Sequence, residues 1–344
     1  MQLSWRRLKV RLRAPLATAH GTLHKRELLA ITLTGEDGYS GHGEAAPLEP
    51  YDGVSLDRVL GAFERYRQVL ADAREPDGAG LLEACRRADD TPQALAAIDM
   101  ALWDRAGRRA GMPVAELLSD RPARTVTVNA TIASGDRAGA VDAASQAVSE
   151  GFRCVKLKVG IGDDVARASA VRATVGPQVS LRLDANGAWG VEEAIRAIET
   201  MAPVGLELVE EPAHGLRAVR EIRDRVSTRI AIDETAAEPG ALGAGVADAV
   251  CLKIGRCGGI SGLLAAATLV RSSGAEPYVS SAFDGPIGVA AALHAAAALA
   301  SRGPVPPCGL ATLRLFEGSL QDALPVRDGL IALPGGSGLG VEPL

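Results

Sequence analysis

Five short runs, Cys154-Val155-Lys156-Leu157-Lys158, Leu181-Arg182-Leu183-Asp184, Leu206-Glu207-Leu208-Val209-Glu210, Ile230-Ala231-Ile232-Asp233 and Val250-Cys251-Leu252-Lys253, share one arrangement. Each is largely apolar and ends on a charged residue. Counted from Lys158, the steps to Asp184, Glu210, Asp233 and Lys253 are 26, 26, 23 and 20 residues, about the length of one strand, loop and helix.

Working outward, further strand candidates lie at 126–130, 278–281 and, more weakly, 305–308, with helical stretches between neighbours such as 164–175, 191–201 and 260–273. Eight strands with seven intervening helices predict an α/β fold, a (β/α)7β TIM-like barrel. An open doubly wound sheet has the same alternation, but no G-x-G-x-x-G turn follows any of these strands. Upstream, 3–43 alternates polar and apolar residues around a turn at Gly35-Glu36-Asp37-Gly38, as an antiparallel meander does, and 56–118 carries apolar positions three and four apart. Residues 1–120 therefore read as an α+β capping domain and 121–310 as the barrel, with 311–344 returning to the cap through the strand-like Gly329-Leu330-Ile331-Ala332-Leu333. Two loop-like stretches of the cap, 14–22 and 44–53, could close over a site.

Composition narrows the partners. The 37 basic and 42 acidic residues of the 344 form no long same-sign blocks, which argues against nucleic acid and for a small-molecule substrate. Five cysteines, Cys85, Cys154, Cys251, Cys257 and Cys308, lack C-x-x-C spacing and read as reduced core residues of a cytoplasmic protein. The Ala-rich run 289–300 is short and interrupted by His294, so it predicts a buried helix and no membrane span. A homo-oligomer is compatible with everything the sequence contains.

In a barrel, side chains at the C-terminal strand ends converge on one mouth. Lys156 and Lys158, two apart on a strand, share its inward face. Asp184, Glu210 and Asp233 would supply three carboxylates from separate strands, an oxygen set suited to a hard divalent ion such as magnesium, with manganese as the alternative. Such an ion acidifies the C–H next to a bound carboxylate by stabilising the enediolate, and a neighbouring lysine, its basicity tuned toward neutral, can take the proton. Any one of these residues alone fits an ordinary polar strand end. All of them in the order Lys-x-Lys, Asp, Glu, Asp, Lys at barrel spacing do not.

These motifs, with Gly43-Glu44-Ala45-Ala46-Pro47, Leu183-Asp184-Ala185-Asn186, Val209-Glu210-Glu211-Pro212 and Ile232-Asp233-Glu234, resemble the muconate-lactonizing subgroup of the enolase superfamily over nearly the whole chain. The resemblance implies Lys158 and Lys253 as catalytic lysines facing each other across the substrate, and Asp184, Glu210 and Asp233 as ligands of magnesium. Lys156, Asn186 and Glu234 would hold charge and orientation behind them. Val128-Asn129-Ala130-Thr131, Ser280-Ser281-Ala282-Phe283-Asp284 with Gly288, and Cys308-Gly309-Leu310-Ala311-Thr312 are most similar to the actinobacterial o-succinylbenzoate synthase family. That likeness implies a carbon–oxygen lyase of menaquinone biosynthesis: Lys158 removes the α-proton of a cyclohexadiene carboxylate and then assists loss of water from the same face. Expected substrate contacts are His20 and Tyr51 from the capping loops and Ser281, Ala282, Asp284 and Gly288 from the barrel mouth. One departure is that Asp284-Gly285-Pro286 stands where the family carries Glu-Ser.

Two rival functions use the same residues. A racemase or epimerase of N-acylamino acids or dipeptides would employ Lys158 and Lys253 as bases on opposite faces, although the Asp-x-Asp pair that holds a dipeptide ammonium has only Asp284 in the corresponding stretch. A non-catalytic binding barrel would leave the lysine pair without a task.

Overall fold

The computed structural model describes residues 1–18, 21–72 and 77–343. Strands β1 (Gln2–Thr18), β2 (Gly21–Thr34) and β3 (Ser40–Ala45) form an antiparallel sheet in the order β1-β2-β3. Most of the stretch expected as a loop at 14–22 is therefore strand. The hairpin ladder breaks between Arg11 and Leu16, around Pro15, whose missing N–H cannot pair, and then resumes. Helices α1 (Glu49–Asp52), α2 (Leu56–Asp72), α3 (Gly78–Ala88), α4 (Pro92–Ala110) and α5 (Val114–Leu118) follow. One face of the sheet and the apolar stripes of α2 to α4 bury a separate core that includes Leu29, Ile31, Phe63, Tyr66 and Ile98.

Next come β4 (Thr125–Thr127), β5 (Ala130–Ile132), α6 (Arg137–Ser149), β6 (Cys154–Lys158), α7 (Asp164–Val175), β7 (Ser180–Asp184), α8 (Val191–Met201) and β8 (Leu206–Glu210). They are followed by α9 (Leu216–Arg223), β9 (Ile230–Ile232), β10 (Ala249–Leu252), α10 (Ile260–Ser272), β11 (Glu276–Val279) and α11 (Pro286–Ala300). Strands β5 to β11 make one seven-stranded parallel sheet in sequential order, curled into a half-barrel.

Two details differ from the sequence expectation. The segment expected as an eighth strand, 305–308, makes only single bridges, Cys308 to Val128 and Gly309 to Ser280. Pro304, Pro306 and Pro307 have no N–H to donate, so no continuous ladder can form there. The β9–β10 connection holds two 3-10 turns, Glu234–Ala237 and Ala241–Gly243, where a helix was expected. Pro239, Gly240, Gly243 and Gly245 break that stretch. The terminal β12 (Val326–Arg327) pairs with β13 (Leu330–Ala332), which in turn pairs with β4, while Phe316 bridges Leu12 and Gly338 bridges Pro113.

Alternation sets the layers. Leu157, Leu181, Leu183 and Val209 point to the surrounding helices, and the inner positions Leu208, Ala231, Ala249, Cys251 and Tyr278 fill the interior as a cluster of their own. Leu181 pairs with Leu206 and Arg182 with Leu208, so Glu207 is an extra residue in that ladder. It meets the buried Arg182 guanidinium at 2.8 and 3.0 Å. Arg182 also donates to Pro307 O at 2.7 Å and lies 5.3 Å from the Tyr278 ring, closing the barrel floor.

The cap is fastened at several places. Asp99 of α4 accepts from Ser261 N and Oγ at the start of α10. A Cβ on Gly259, at φ +108, would sit 2.4 Å from that carboxylate, so only glycine allows the approach. Buried Arg26 donates to Phe283 O beyond β11 at 3.4 Å and, within the cap, to Ala46 O and Pro47 O at 2.7 and 2.8 Å. No described helix is long and apolar enough to cross a membrane.

His294, fully buried in α11, accepts from Ala115 N through Nδ1 at 3.0 Å and meets Leu339 O through Nε2 at 3.2 Å. Protonating Nδ1 would oppose two N–H groups in an apolar site, and burial lowers the imidazole from 6.5 to about 4. Between these values the unfolded chain binds the proton more readily, so stability should fall as pH drops from 6.5 to 4, by roughly 3 kcal/mol from this residue. Denaturant titrations at several pH values should give a shallower pH dependence in His294→Gln than in the parent, and equal slopes would contradict the assignment.

Candidate active site

The sequence motifs meet at the C-terminal ends of β6 to β10. Lys156 and Lys158 project inward from β6, and Asp184 and Glu210 close β7 and β8, side by side in register. Asp233 and Lys253 follow β9 and β10 directly. All three carboxylates are buried, at 1%, 0% and 4% exposure for Asp184, Glu210 and Asp233, which makes their partners decisive.

Those partners are mostly lysines. Lys156 Nζ lies 2.8 Å from Asp184 Oδ2 and donates to Glu210 at 3.0 and 3.2 Å. Lys158 Nζ donates to Asp184 Oδ2 at 2.6 Å and to Asn186 Oδ1 at 2.5 Å. Lys253 Nζ donates to Asp233 Oδ2. Asn186 Nδ2 donates to Glu234 Oε1 at 3.0 Å, so Asn186 links Lys158 to Glu234. From the cap, Tyr51 donates its hydroxyl to Asp233 Oδ1 at 2.8 Å while accepting from Arg256 at 2.5 Å, and its ring lies 5.0 Å from Lys253 Nζ. Beneath the site, Tyr278 donates to Glu210 Oε2 at 2.7 Å.

The electrostatics follow. Burial pushes Asp184 up, but Lys156 and Lys158 outweigh it and hold the carboxyl far below its usual range. Burial opposes the charge of Lys156, yet Asp184 and Glu210 raise it, and Asp233 does the same for Lys253. Both are held as ammonium ions, the reverse of the expected tuning toward neutral, because their nearest neighbours are anions. Glu210 is raised by burial and further by Asp184 and Asp233. Glu211, turned away at φ +42, accepts from Asp233 N and Thr235 N and fixes the Asp233 backbone.

The donor set fits a hard divalent ion. Three carboxylates on adjacent rigid strand ends offer oxygens, and burial, with Asp184 and Asp233 beside it, raises Glu210, a cost of holding charge that a dication would relieve. Cys251 Sγ also lies within 4.8 Å of Glu210 and Asp233 ligand atoms.

A cavity of about 150 Å³ opens beside these groups. Of the residues singled out in the sequence, Lys156, Lys158, Asp184, Asn186, Asp233, Lys253, Tyr51, Ser281 and Ala282 line it, and Glu210 and Glu234 do not. Lys158 and Lys253 border it from strands with three others between them in the curled sheet. Asp284 and Gly288 do not line it. Asp284 accepts from Ala282 N, receives Ser281 Oγ as the acceptor for its own N–H, and is buried, and a Cβ on Gly288 would meet Asp284 at 2.8 Å and Glu44 at 2.9 Å. Both residues shape the loop from within. His20 lies outside the described residues. The sequence did not single out Thr22, Leu23, Thr131, Phe283, Thr312 and Leu315, which line the cavity, or Tyr278 and Arg256 around it. Of these, only Phe283 carries a local signature, a non-glycine φ of 60, and that becomes visible with the fold.

Residues 139–344 match the family model described as enolase C-terminal domain-like, and residues 2–119 match that of the mandelate racemase / muconate lactonizing enzyme N-terminal domain. The chain belongs to the enolase superfamily. Within the superfamily it is 30% identical to the L-Ala-D/L-Glu epimerase of Bacillus subtilis, over 97% of this chain and 94% of that one. It is 40% identical to the o-succinylbenzoate synthase of Thermobifida fusca, over 62% of this chain and 68% of that one. Among solved structures, the dipeptide epimerase of Enterococcus faecalis V583, complexed with Mg and the dipeptide L-Leu-L-Tyr, superposes with a TM-score of 0.90 at 28% identity, covering 99% of both chains. The full-length similarity thus lies with epimerases and with cycloisomerases such as the muconate cycloisomerase 1 of Rhodococcus opacus, 29% identical over 97% of this chain and 93% of that one, and the synthase likeness is partial.

The Tyr278 hydroxyl is the only donor from the barrel floor that is directed at Glu210 among the described contacts. With Glu210 as the expected magnesium ligand, Tyr278→Phe should weaken magnesium binding by about tenfold, measured by calorimetry, because the partner that orients its carboxylate is lost. Unchanged affinity would show that Glu210 needs no such support.

Proposed function

We propose that this protein is a magnesium-dependent enzyme that removes the proton next to a substrate carboxylate, and that it inverts the stereocentre there. One observation carries the proposal: two lysines from well-separated strands border a single cavity beside three buried carboxylates. Asp184, Glu210 and Asp233 would hold the ion, which supplies the positive charge that makes the α-proton acidic. Lys158 takes the proton from one face and Lys253 delivers one to the other, with the roles exchanged for the opposite enantiomer. Asn186 and Asp184 hold the Lys158 ammonium, and Tyr51 packs over Lys253, so both nitrogens are kept at the cavity wall.

The substrate side is more apolar than the base side. Leu23, Leu48, Pro50, Phe283 and Leu315 line the cavity, and among the described residues its only carboxylates, Asp184 and Asp233, are already paired with lysines. A free α-ammonium would have no partner of its own, which favours an N-acylated amino acid over a dipeptide with a free amine.

A second reading, dehydration of a cyclohexadiene carboxylate as in o-succinylbenzoate synthase, is favoured by the 40% identity to the Thermobifida fusca enzyme and by the apolar wall, which suits a ring. There Lys158 acts alone as base and then as acid toward the departing hydroxide, while Lys253 remains a cation. A role in menaquinone biosynthesis belongs to this reading.

Purified protein with magnesium should be offered N-succinyl and N-acetyl amino acids, dipeptides and the cyclohexadiene carboxylate in parallel. Racemisation of the N-acyl substrates is expected, and Lys158→Ala and Lys253→Ala should each lower kcat by about a thousandfold. Dehydration alone would select the second reading, and turnover by Lys158→Ala would contradict both.

A further inference from the structure

A second, larger cavity of about 890 Å³ adjoins the first, with Tyr51, Asp233 and Lys253 bordering both. Two of its features belong to no step described above. Cys251 borders it, one turn of the alternation below Lys253 on β10, with its sulfur 3.6 Å from Lys253 Nζ. Gln93, at the start of α4 and 3% exposed, borders it too. Its Nε2 donates to Asp52 at 2.8 Å, but its buried Oε1 has no hydrogen-bond partner. An orphaned buried acceptor on a cavity wall asks for a donor from within the cavity.

Ligand atoms of Glu210, Asp233 and Cys251 lie within 4.8 Å of one another. Atoms bound to one ion at about 2.0–2.3 Å sit about 3.3–3.8 Å apart, so small side-chain rotations bring these three onto a single centre. Sulfur changes which ion such a set prefers: magnesium gains nothing from a thiolate, whereas zinc and cadmium do.

We propose that Cys251, Glu210 and Asp233 form a site for a thiophilic divalent ion, reached through the larger cavity and overlapping the proposed magnesium site. This rests on Glu210 and Asp233 being open to metal, as argued above. As the sulfur–metal bond forms, the thiol proton passes to solvent and no oxidation state changes. The ion takes the Glu210 and Asp233 oxygens that the proposed magnesium ion would use, so its binding and productive catalysis exclude each other. Zinc or cadmium would then inhibit the enzyme through a residue that takes no part in the reaction.

Titration of the full-length protein with cadmium should produce the ultraviolet charge-transfer absorption of a cadmium–thiolate bond, saturating at one ion per chain. The band should vanish in Cys251→Ser and persist in Cys257→Ser, whose side chain borders the same cavity. Cadmium-113 resonance of the unsubstituted protein gives the same answer without a variant, one thiolate among oxygen ligands. Asp184→Asn separates the two sites: it should lose magnesium affinity and keep the cadmium band. No band in the parent, or a band that survives in Cys251→Ser, would overturn this proposal, and magnesium binding without it would leave the proposed function standing. If neither ion binds, both fail.

Discussion

Three buried carboxylates standing side by side at the ends of parallel strands can persist only because cations stand among them. Lys156 bridges Asp184 and Glu210, Lys158 holds Asp184, and Lys253 holds Asp233. Removing one partner of a buried pair costs about 3–5 kcal/mol, because the remaining charge is left uncompensated. The lattice therefore binds β6, β7, β8, β9 and β10 into one electrostatic unit. On the proposed reading, a divalent ion would replace an ammonium as the partner of a carboxylate, and that ammonium, its anion now neutralised, would release its proton to solvent more readily and leave the amine that proton abstraction requires. The affinity of the ion and the basicity of the lysines would then be one property of the site.

The cap takes part in that unit. Tyr51 reaches Asp233 and Lys253 from α1, and Arg256 reaches back to Tyr51 and to Glu234 O. Arg26 donates to Phe283 O and to the 46–47 backbone, so the loop that follows β11 and the loop before α1 are fixed by one buried guanidinium. On the proposed reading, chemistry sits on strands and selectivity on these loops, the division expected when many reactions share one fold.

Much of this was legible in the sequence, for a physical reason. Strand alternation with charged ends is a local pattern, so Lys156, Lys158, Asp184, Glu210, Asp233 and Lys253 announce both the parallel sheet and its mouth. Contacts between distant segments are not local. Tyr278 and Glu210 are 68 residues apart, Tyr51 and Arg256 are 205 apart, and nothing in either neighbourhood signals the meeting. The eighth strand was expected from spacing, and the three prolines before Cys308 reduce it to bridges. Asp284 looked like a pocket acid, yet a shorter side chain turns into its own loop. Substrate identity was the least legible feature, because it depends on apolar residues such as Leu23, Phe283 and Leu315 whose types are common in any core.

The assignment of two lysines to two faces of one carbon acid is tested most directly by α-proton exchange in deuterated water, followed by NMR on separate enantiomers of an N-acylamino acid with magnesium present. The parent should exchange both enantiomers, Lys158→Ala only one, and Lys253→Ala only the other. Exchange of the same enantiomer by both variants, or undiminished exchange of both enantiomers by either variant, would contradict the assignment.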